Sequence, residues 1–358
     1  MIKPFRIFEY VHRDPQPDFL VITNMWPEHT RPVYGIFVER QVQALRAAGL
    51  RCDVLYVRGY LSKLIYLLVV PWFLWLTISA RGRYRLTHVH AGETALAARF
   101  LFTRPMIATY HGDDMLGYRG DDGSIPLRGK VRSFIVRRQA FLFAATVTQS
   151  SEMHRRLPRR IQRRDTVIRC GVDAAQFYPE DRHGARRQLA WDDSEYVVLF
   201  AATRPYCPLK RLDLARAAVT HAEAELGSIR LVVAENISPD SMPTMMNAAD
   251  CLLLTSMSEG SPMVVKEALM CNLPVVATDV GDIKEMLKDV SPSAVCRHDS
   301  SELGAALVDV LKANQRSNGR EQSADLDQST TVRRLLDIYA DLGLRPDAQI
   351  SAPVSVMS

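Results

Sequence analysis

Two glutamates and two cations stand in this sequence at spacings that could hold a phosphorylated sugar. In Ser258-Glu-Gly-Ser-Pro-Met-Val-Val-Lys-Glu267, a polar turn follows the apolar run 251–255 and opens a helix. Ser261 is expected to cap that helix, with Pro262 as its first residue. Free amides at a helix start attract anions, and Gly260 lets a ligand approach the backbone, so the turn suits a diphosphate. Glu259 before the helix and Glu267 within it can accept hydrogen bonds from sugar hydroxyls. By themselves these residues also read as a capped helix bearing two surface glutamates.

Other chemistry-bearing residues fall at the ends of apolar runs. The run 196–202 (YVVLFAA) leads into Thr203-Arg204-Pro-Tyr-Cys-Pro-Leu-Lys210, placing two cations near a strand's carboxyl end. Ligands of doubly wound sheets gather at that edge, and Arg204 with Lys210 could neutralise a departing diphosphate. The run 106–110 (MIATY) leads into His111-Gly-Asp-Asp114. There a glycine opens space and polar groups converge, with Asp113 and Asp114 expected on the acceptor side. A structural histidine is the plain alternative.

The elements that must position these residues alternate between short apolar runs and longer helical patterns, the mark of βαβ units and parallel sheets. Strands are expected at 19–24, 52–57, 86–90, 106–110, 145–149 and 166–169, with helices at 35–49 and 93–103. After Cys170-Gly-Val-Asp173 the cycle restarts, with strands at 196–202, 229–234, 251–255 and 274–278 and helices at 211–226 and 262–271. A loop is expected over 315–330. With 358 residues, two domains are the expectation: 1–175 and 176–330, then a crossover helix at 331–344 and a mobile tail at 345–358.

Charge is divided unevenly. Residues 1–170 hold 27 Lys/Arg and 13 Asp/Glu, whereas the remainder hold 18 and 27, and the whole carries +5. A basic half implies an anionic partner on that side. Residues 64–80 (LIYLLVVPWFLWLTISA) hold no charge and are flanked by Lys63 and by Arg81, Arg83 and Arg85. Their length sits at the lower edge of a membrane span, about 17–25 residues. A span would split one sheet across the bilayer, which leaves a buried crossover helix or a helix lying in the bilayer interface. From Arg155 to Arg164 (RRLPRRIQRR) six of ten residues are arginine, suiting anionic lipid or a phosphorylated acceptor. No aromatic platform accompanies them, so nucleic acid is not the expected partner. The six cysteines show no paired spacing, as expected of reduced thiols in the cytoplasm, and no signal peptide is read at the start.

In order along the chain, the Gly35 loop, His111-Gly-Asp, Gly-Val-Asp173 with Phe177 and Pro179, Arg204/Lys210, Asn-Ala-Ala-Asp250 and Glu-Gly-Ser-Pro…Lys-Glu267 resemble glycosyltransferase family 4. The nearest branch is that of bacterial cell-surface polysaccharide and teichuronic-acid synthesis. The resemblance implies a GT-B fold, α/β, with two Rossmann-like domains facing each other across a cleft and a C-terminal helix crossing back. It implies a retaining, metal-independent transfer from a nucleoside-diphosphate sugar, UDP-linked, to a lipid-linked or glycan acceptor, with no cofactor. Arg204 and Lys210 would hold the diphosphate, Glu267 the ribose and Glu259 the transferred sugar. The stretch Gly260, Ser261, Pro262, Met263 and Val264 would contact sugar and phosphate. His111 would contact the sugar and Gly35 would face donor and acceptor. The protein would work peripherally on the inner face of the cytoplasmic membrane. An epimerase on the same fold, or an inactive membrane-attached scaffold, are the alternatives. Four places depart from the family pattern: Gly35 is single, Arg211 replaces a frequent glycine, Cys170 stands where asparagine is usual, and Glu235-Asn236 stands in place of a Gly-rich turn after the strand that ends at Ala234.

Overall fold

A computed structural model describes residues 7–101, 105–235 and 237–346. Most of the expected tail, and the far end of the helix expected at 93–103, lie outside them. The chain forms two compact units. The first comprises residues up to Gly117, Lys130–Ile168 and everything from Ser329 onward, and the second comprises Tyr118–Gly129 and Arg169–Gln328.

The first unit is built on seven strands: β1 (Phe8–His12), β2 (Phe19–Thr23), β3 (Cys52–Val57), β4 (Leu86–His90), β5 (Met106–Thr109), β6 (Ala145–Thr148) and β7 (Asp165–Val167). Their order is β1-β3-β2-β4-β5-β6-β7. Every pairing is parallel except that of β1 with β3. The edge strand β1 is absent from the sequence-based expectation, because its mixed residues (FEYVH) lack an apolar run. In contrast β2 (FLVIT) is buried at every position, as a parallel strand covered on both faces must be. Its alternate side chains go opposite ways: Leu20 and Ile22 join one core, Phe19 and Val21 another.

The apolar segment 64–80 contributes to the first of these cores. It forms two consecutive helices, Ile65–Leu68 and Val70–Ser79, and no helix among the described residues is long and apolar enough to cross a membrane. Ile65, Val69, Phe73 and Leu76 make the inward seam at helical spacing. Leu67 and Ile78 point outward, 68% and 78% exposed. The buried reading therefore holds for one face, and the other face is exposed.

The second core is closed by two helices, Ile36–Ala47 and Gln328–Asp341. The latter belongs to the first unit although it follows the second in sequence. Its Tyr339 is fully buried against Phe19, with ring centroids 5.4 Å apart. The Tyr339 hydroxyl lies 2.6 Å from His88 Nδ1 on β4.

The second unit has five parallel strands: β8 (Tyr196–Ala201), β9 (Ile229–Ala234), β10 (Cys251–Leu254), β11 (Val275–Thr278) and β12 (Ala294–Cys296). They run β12-β11-β10-β8-β9. The same alternation divides its interior, with Val197 and Leu199 on one side and Val198 and Phe200 on the other. Within the expected loop 315–330 lie a short helix (Gly319–Gln322) and a 3-10 turn (Ala324–Leu326). This order escapes hydropathy because it rests on polar contacts. Arg320 donates to the carbonyls of Phe177, Met270 and Ala174 at 2.8–3.0 Å.

Replacing Tyr339 by phenylalanine would keep the ring and strand the His88 nitrogen without its partner. A buried polar group left unsatisfied costs about 1–3 kcal/mol. Urea unfolding of Tyr339→Phe should show that loss, and an unchanged midpoint would mean the bond does not secure the returning helix.

Candidate functional site

In the second unit the strand order reverses between β8 and β10, and ligands of open α/β sheets bind outside the carboxyl ends at such a point. Two turns leave the sheet there. One follows β8 and ends in the 3-10 turn Pro208–Lys210; the other follows β10 and runs to Gly260. Backbone and side chain fasten them together. The Met257 N–H donates to the Leu209 carbonyl at 2.8 Å, and the Thr255 hydroxyl reaches the carbonyls of Lys210 and Arg211 at 2.9 and 2.8 Å. Between the turns, Lys210 Nζ donates to Glu259 Oε1 at 2.6 Å.

Arg211 has φ +51°, in the left-handed region. Glycine takes that conformation at least cost, which accounts for the glycine frequent at this place in the family pattern. Here the guanidinium binds Asp213 at 2.9–3.1 Å. Arg204 is exposed on the same turn.

The second turn enters the helix Met263–Met270, which differs from expectation at its start. Pro262, with φ −68° and ψ 123°, occupies the N-cap position, and no side chain caps the helix. Ser261 does not serve as the cap because its hydroxyl donates to Asp282 Oδ2 at 2.8 Å. Pro262 lacks an N–H, so the amides of this stretch that can meet an anion are those of Gly260, Ser261, Met263 and Val264. Glu267 lies one turn further on and is half-buried.

Three residues that hold this turn were not singled out from sequence. Gly281, at φ +60°, packs so closely that a Cβ would lie 2.7 Å from the Gly260 carbonyl oxygen. Asp282, buried, also accepts from Arg169 Nε at 2.6 Å, and Arg169 continues to Glu285 at 2.9 Å. Lys266 is fully buried, its Nζ 3.3 Å from the Cys170 carbonyl oxygen. Burial pushes its pKa below the ordinary lysine value. The signal in the sequence was Gly-Asp282 just past a strand, and it carries no chemistry until the fold brings it to Gly260.

In the first unit, His111 follows β5 and its ring is held between two others. Phe37 lies with its centroid 5.0 Å away, and His90, on the neighbouring strand β4, stacks at 5.4 Å and 18°. His90 Nδ1 and His111 Nε2 are 3.1 Å apart. Burial pushes the His90 pKa down to about 3, so His90 is neutral at physiological pH and can share a single proton with His111.

Asp114, expected on the acceptor side, is turned inward instead. Its carboxylate accepts from the backbone N–H groups of Gly92, His111, Gly112 and Met115 at 2.8–3.3 Å. Burial raises its pKa while these donors oppose the rise. It shapes the His111 turn and has no face left for an acceptor, whereas Asp113 is exposed. Gly35 begins the helix Ile36–Ala47 at φ +77°, and a Cβ there would lie 2.3 Å from the Met25 carbonyl carbon. Only glycine allows the loop after β2 to fold back so closely.

Lys210, Glu259, Gly260, Ser261 and the helix behind them are thus gathered at one sheet edge in the second unit, and His111, Asp113 and Gly35 belong to the first. A cavity of about 680 Å³ lies elsewhere in the first unit, between β1 and the helix Val70–Ser79, and is lined by none of these residues.

Residues 213–329 match the family model of glycosyl transferases group 1. The D-inositol 3-phosphate glycosyltransferase of Mycobacterium marinum is 28% identical over 306 residues, covering 72% of this chain and 64% of the relative. The match thus spans less than two thirds of that relative's length. Among solved structures, sucrose-phosphate synthase from Thermosynechococcus elongatus superposes with a TM-score of 0.71 at 17% identity, over 91% of this chain and 99% of that one. Anabaena HepE in complex with UDP-glucose gives 0.67 at 16%, over 90% and 99%. The fold is GT-B, and within it residues 213–329 are similar to the glycosyl transferases of group 1.

Proposed function

We propose that the protein transfers a sugar from a UDP-linked donor, with retention at the anomeric carbon, to a lipid-linked or polysaccharide acceptor in cell-surface glycan synthesis. The observation that carries this reading is the 2.6 Å pair of Lys210 and Glu259, beside the free amides of Gly260, Ser261, Met263 and Val264. A lysine and a glutamate that neutralise each other can both change partner when the donor arrives. The diphosphate takes the ammonium, and sugar hydroxyls donate to the carboxylate. Glu267 accepts from the ribose hydroxyls. That HepE was solved with UDP and with UDP-glucose supports a UDP donor.

In the reaction the bond from the anomeric carbon to the phosphate oxygen breaks, and its electron pair stays on the phosphate. Lys210 and Arg204 balance the charge that develops there, in a setting where fixed cations are worth more than in water. The acceptor hydroxyl attacks the same face, and its proton passes to the departing phosphate oxygen. His111 contacts the sugar and helps stabilise the oxocarbenium-like transition state. Because the two cations take the electrostatic role, no metal is required. The acceptor is met at the inner face of the cytoplasmic membrane, towards which the outward face of residues 64–85 and the arginines from Arg155 to Arg164 are directed by chemistry.

Lys210→Ala and Glu267→Ala should each lower transfer by about 10²-fold or more while the melting temperature stays near that of the parent. Full activity in both variants would remove the donor-site assignment. A donor sugar epimerised without transfer would mark an epimerase, and no turnover of any nucleotide sugar a scaffold.

Transfer should also continue in EDTA after dialysis. Activity that vanishes with the chelator and returns only with a divalent cation would contradict the role given to Lys210 and Arg204.

A further inference from the structure

The helix Leu127–Gln139 has a buried side of mixed character and an exposed side that carries apolar residues. Inward, Ser133, Val136, Gln139 and Ala140 recur at helical spacing and are buried. Val136 packs on Gly92, and Gln139 Nε2 donates to the Gly92 carbonyl at 2.6 Å. Outward, Val131, Phe134 and Ile135 lie at i, i+3 and i+4, with Phe134 53% exposed, and Phe141 and Leu142 continue the exposed apolar surface. A helix facing only water gains nothing from such an outer stripe. Across 127–142 there are five cations and no acidic residue.

This stripe adjoins the other two elements directed at the membrane. Glu93 binds Lys63, at the start of the apolar segment, at 2.9 Å, and Arg132 of this helix at 3.3 Å. On the other flank, Arg137 feels the like charge of Arg156, which with burial, the larger cause, lowers its pKa. The inward residues of all three elements (Phe73, Val136 and Ile161 among them) share one core, so their outward residues lie over one side of one sheet.

We propose that residues 130–142, the part of this segment that belongs to the first unit, form a second membrane-contacting element, which with residues 64–80 seats this side of the first unit on an anionic lipid bilayer. The inference rests on the membrane-facing acceptor proposed above and assigns a surface that reading did not include. Apolar groups flanked by cations are the chemistry of an interfacial helix: the stripe enters the acyl boundary and the arginines stay with the headgroups. A second copy of the chain fits less well, because a two-fold contact would set the same cations against one another.

The test is co-flotation of the full chain with phosphatidylcholine vesicles containing about 30% phosphatidylglycerol, or none, the charged lipid being what the cations require. Three proteins are compared: the parent, a Phe134→Ser/Ile135→Ser variant and a Leu67→Ser/Ile78→Ser variant. Each variant should bind the anionic vesicles at least about tenfold more weakly, since each loses two large apolar groups. All three should melt alike and be stabilised alike by UDP, which keeps donor binding separate from lipid binding. Parent-like binding by Phe134→Ser/Ile135→Ser, with binding lost in Leu67→Ser/Ile78→Ser, would overturn this inference and leave the membrane reading standing. A parent that ignores anionic vesicles would overturn both. A lipid-free parent dimer that becomes monomeric in Phe134→Ser/Ile135→Ser would assign the stripe to a second copy instead.

Discussion

Parallel strands buried on both faces are the constraint from which the rest of this structure follows. β2, β3, β4 and β5 are buried along their whole length, so polar groups on the sheet, such as His88, are enclosed and a ligand has no place there. Ligand chemistry must occur where the strands end, and backbone groups at those ends need new partners. The second unit answers this at the reversal between β8 and β10. The two turns satisfy each other through Met257, Leu209 and Thr255, and only then can Lys210 and Glu259 meet.

That meeting has an energetic consequence. The pair is partly exposed, with side chains at 31% and 16%, so it contributes little net stability. Its use lies elsewhere. Under the proposed function, each group is held in place and already neutralised, so a donor that supplies a phosphate to one and hydroxyls to the other would replace a bond without stranding a charge. The Arg169–Asp282–Ser261 chain and the close contact of Gly281 with Gly260 keep the amides of the same turn fixed. Charge stabilisation by groups already in position needs no reorganisation as the bond breaks.

Much of this was legible in the sequence, for a physical reason. Strands buried on both faces are continuous apolar runs, so β3, β4 and β9 match the expected spans residue for residue. The chemistry-bearing residues sit just past such runs, where Lys210, Glu259 and His111 could be found. What escaped depends on partners distant in sequence. β1 exists because β3 offers it an edge. Ser261 would cap its helix if Asp282 were not near enough to take its hydroxyl. Asp114 looked like an exposed acid beside Asp113, and only the turn shows four N–H groups converging on it. His90 reads as one more strand residue until β4 and β5 are aligned.

The helix Leu127–Gln139 shows the same limit from the opposite side. Periodicity detects a helix by contrast between a buried apolar face and an exposed polar one, and this helix buries Ser133 and Gln139 beside Val136 while exposing Val131, Phe134 and Ile135, so the contrast fails. The segment 64–80 is apolar enough to be noticed, yet composition alone could not tell a buried helix from an interfacial one. In the structure one stripe of each helix enters the shared core, and the other stripe is exposed. A soluble surface would substitute polar residues there at no cost to the core. Leucine, isoleucine and phenylalanine on the outer stripes, with arginines beside them and no acid across 127–142, are the chemistry on which the proposed contact with an apolar and anionic surface rests.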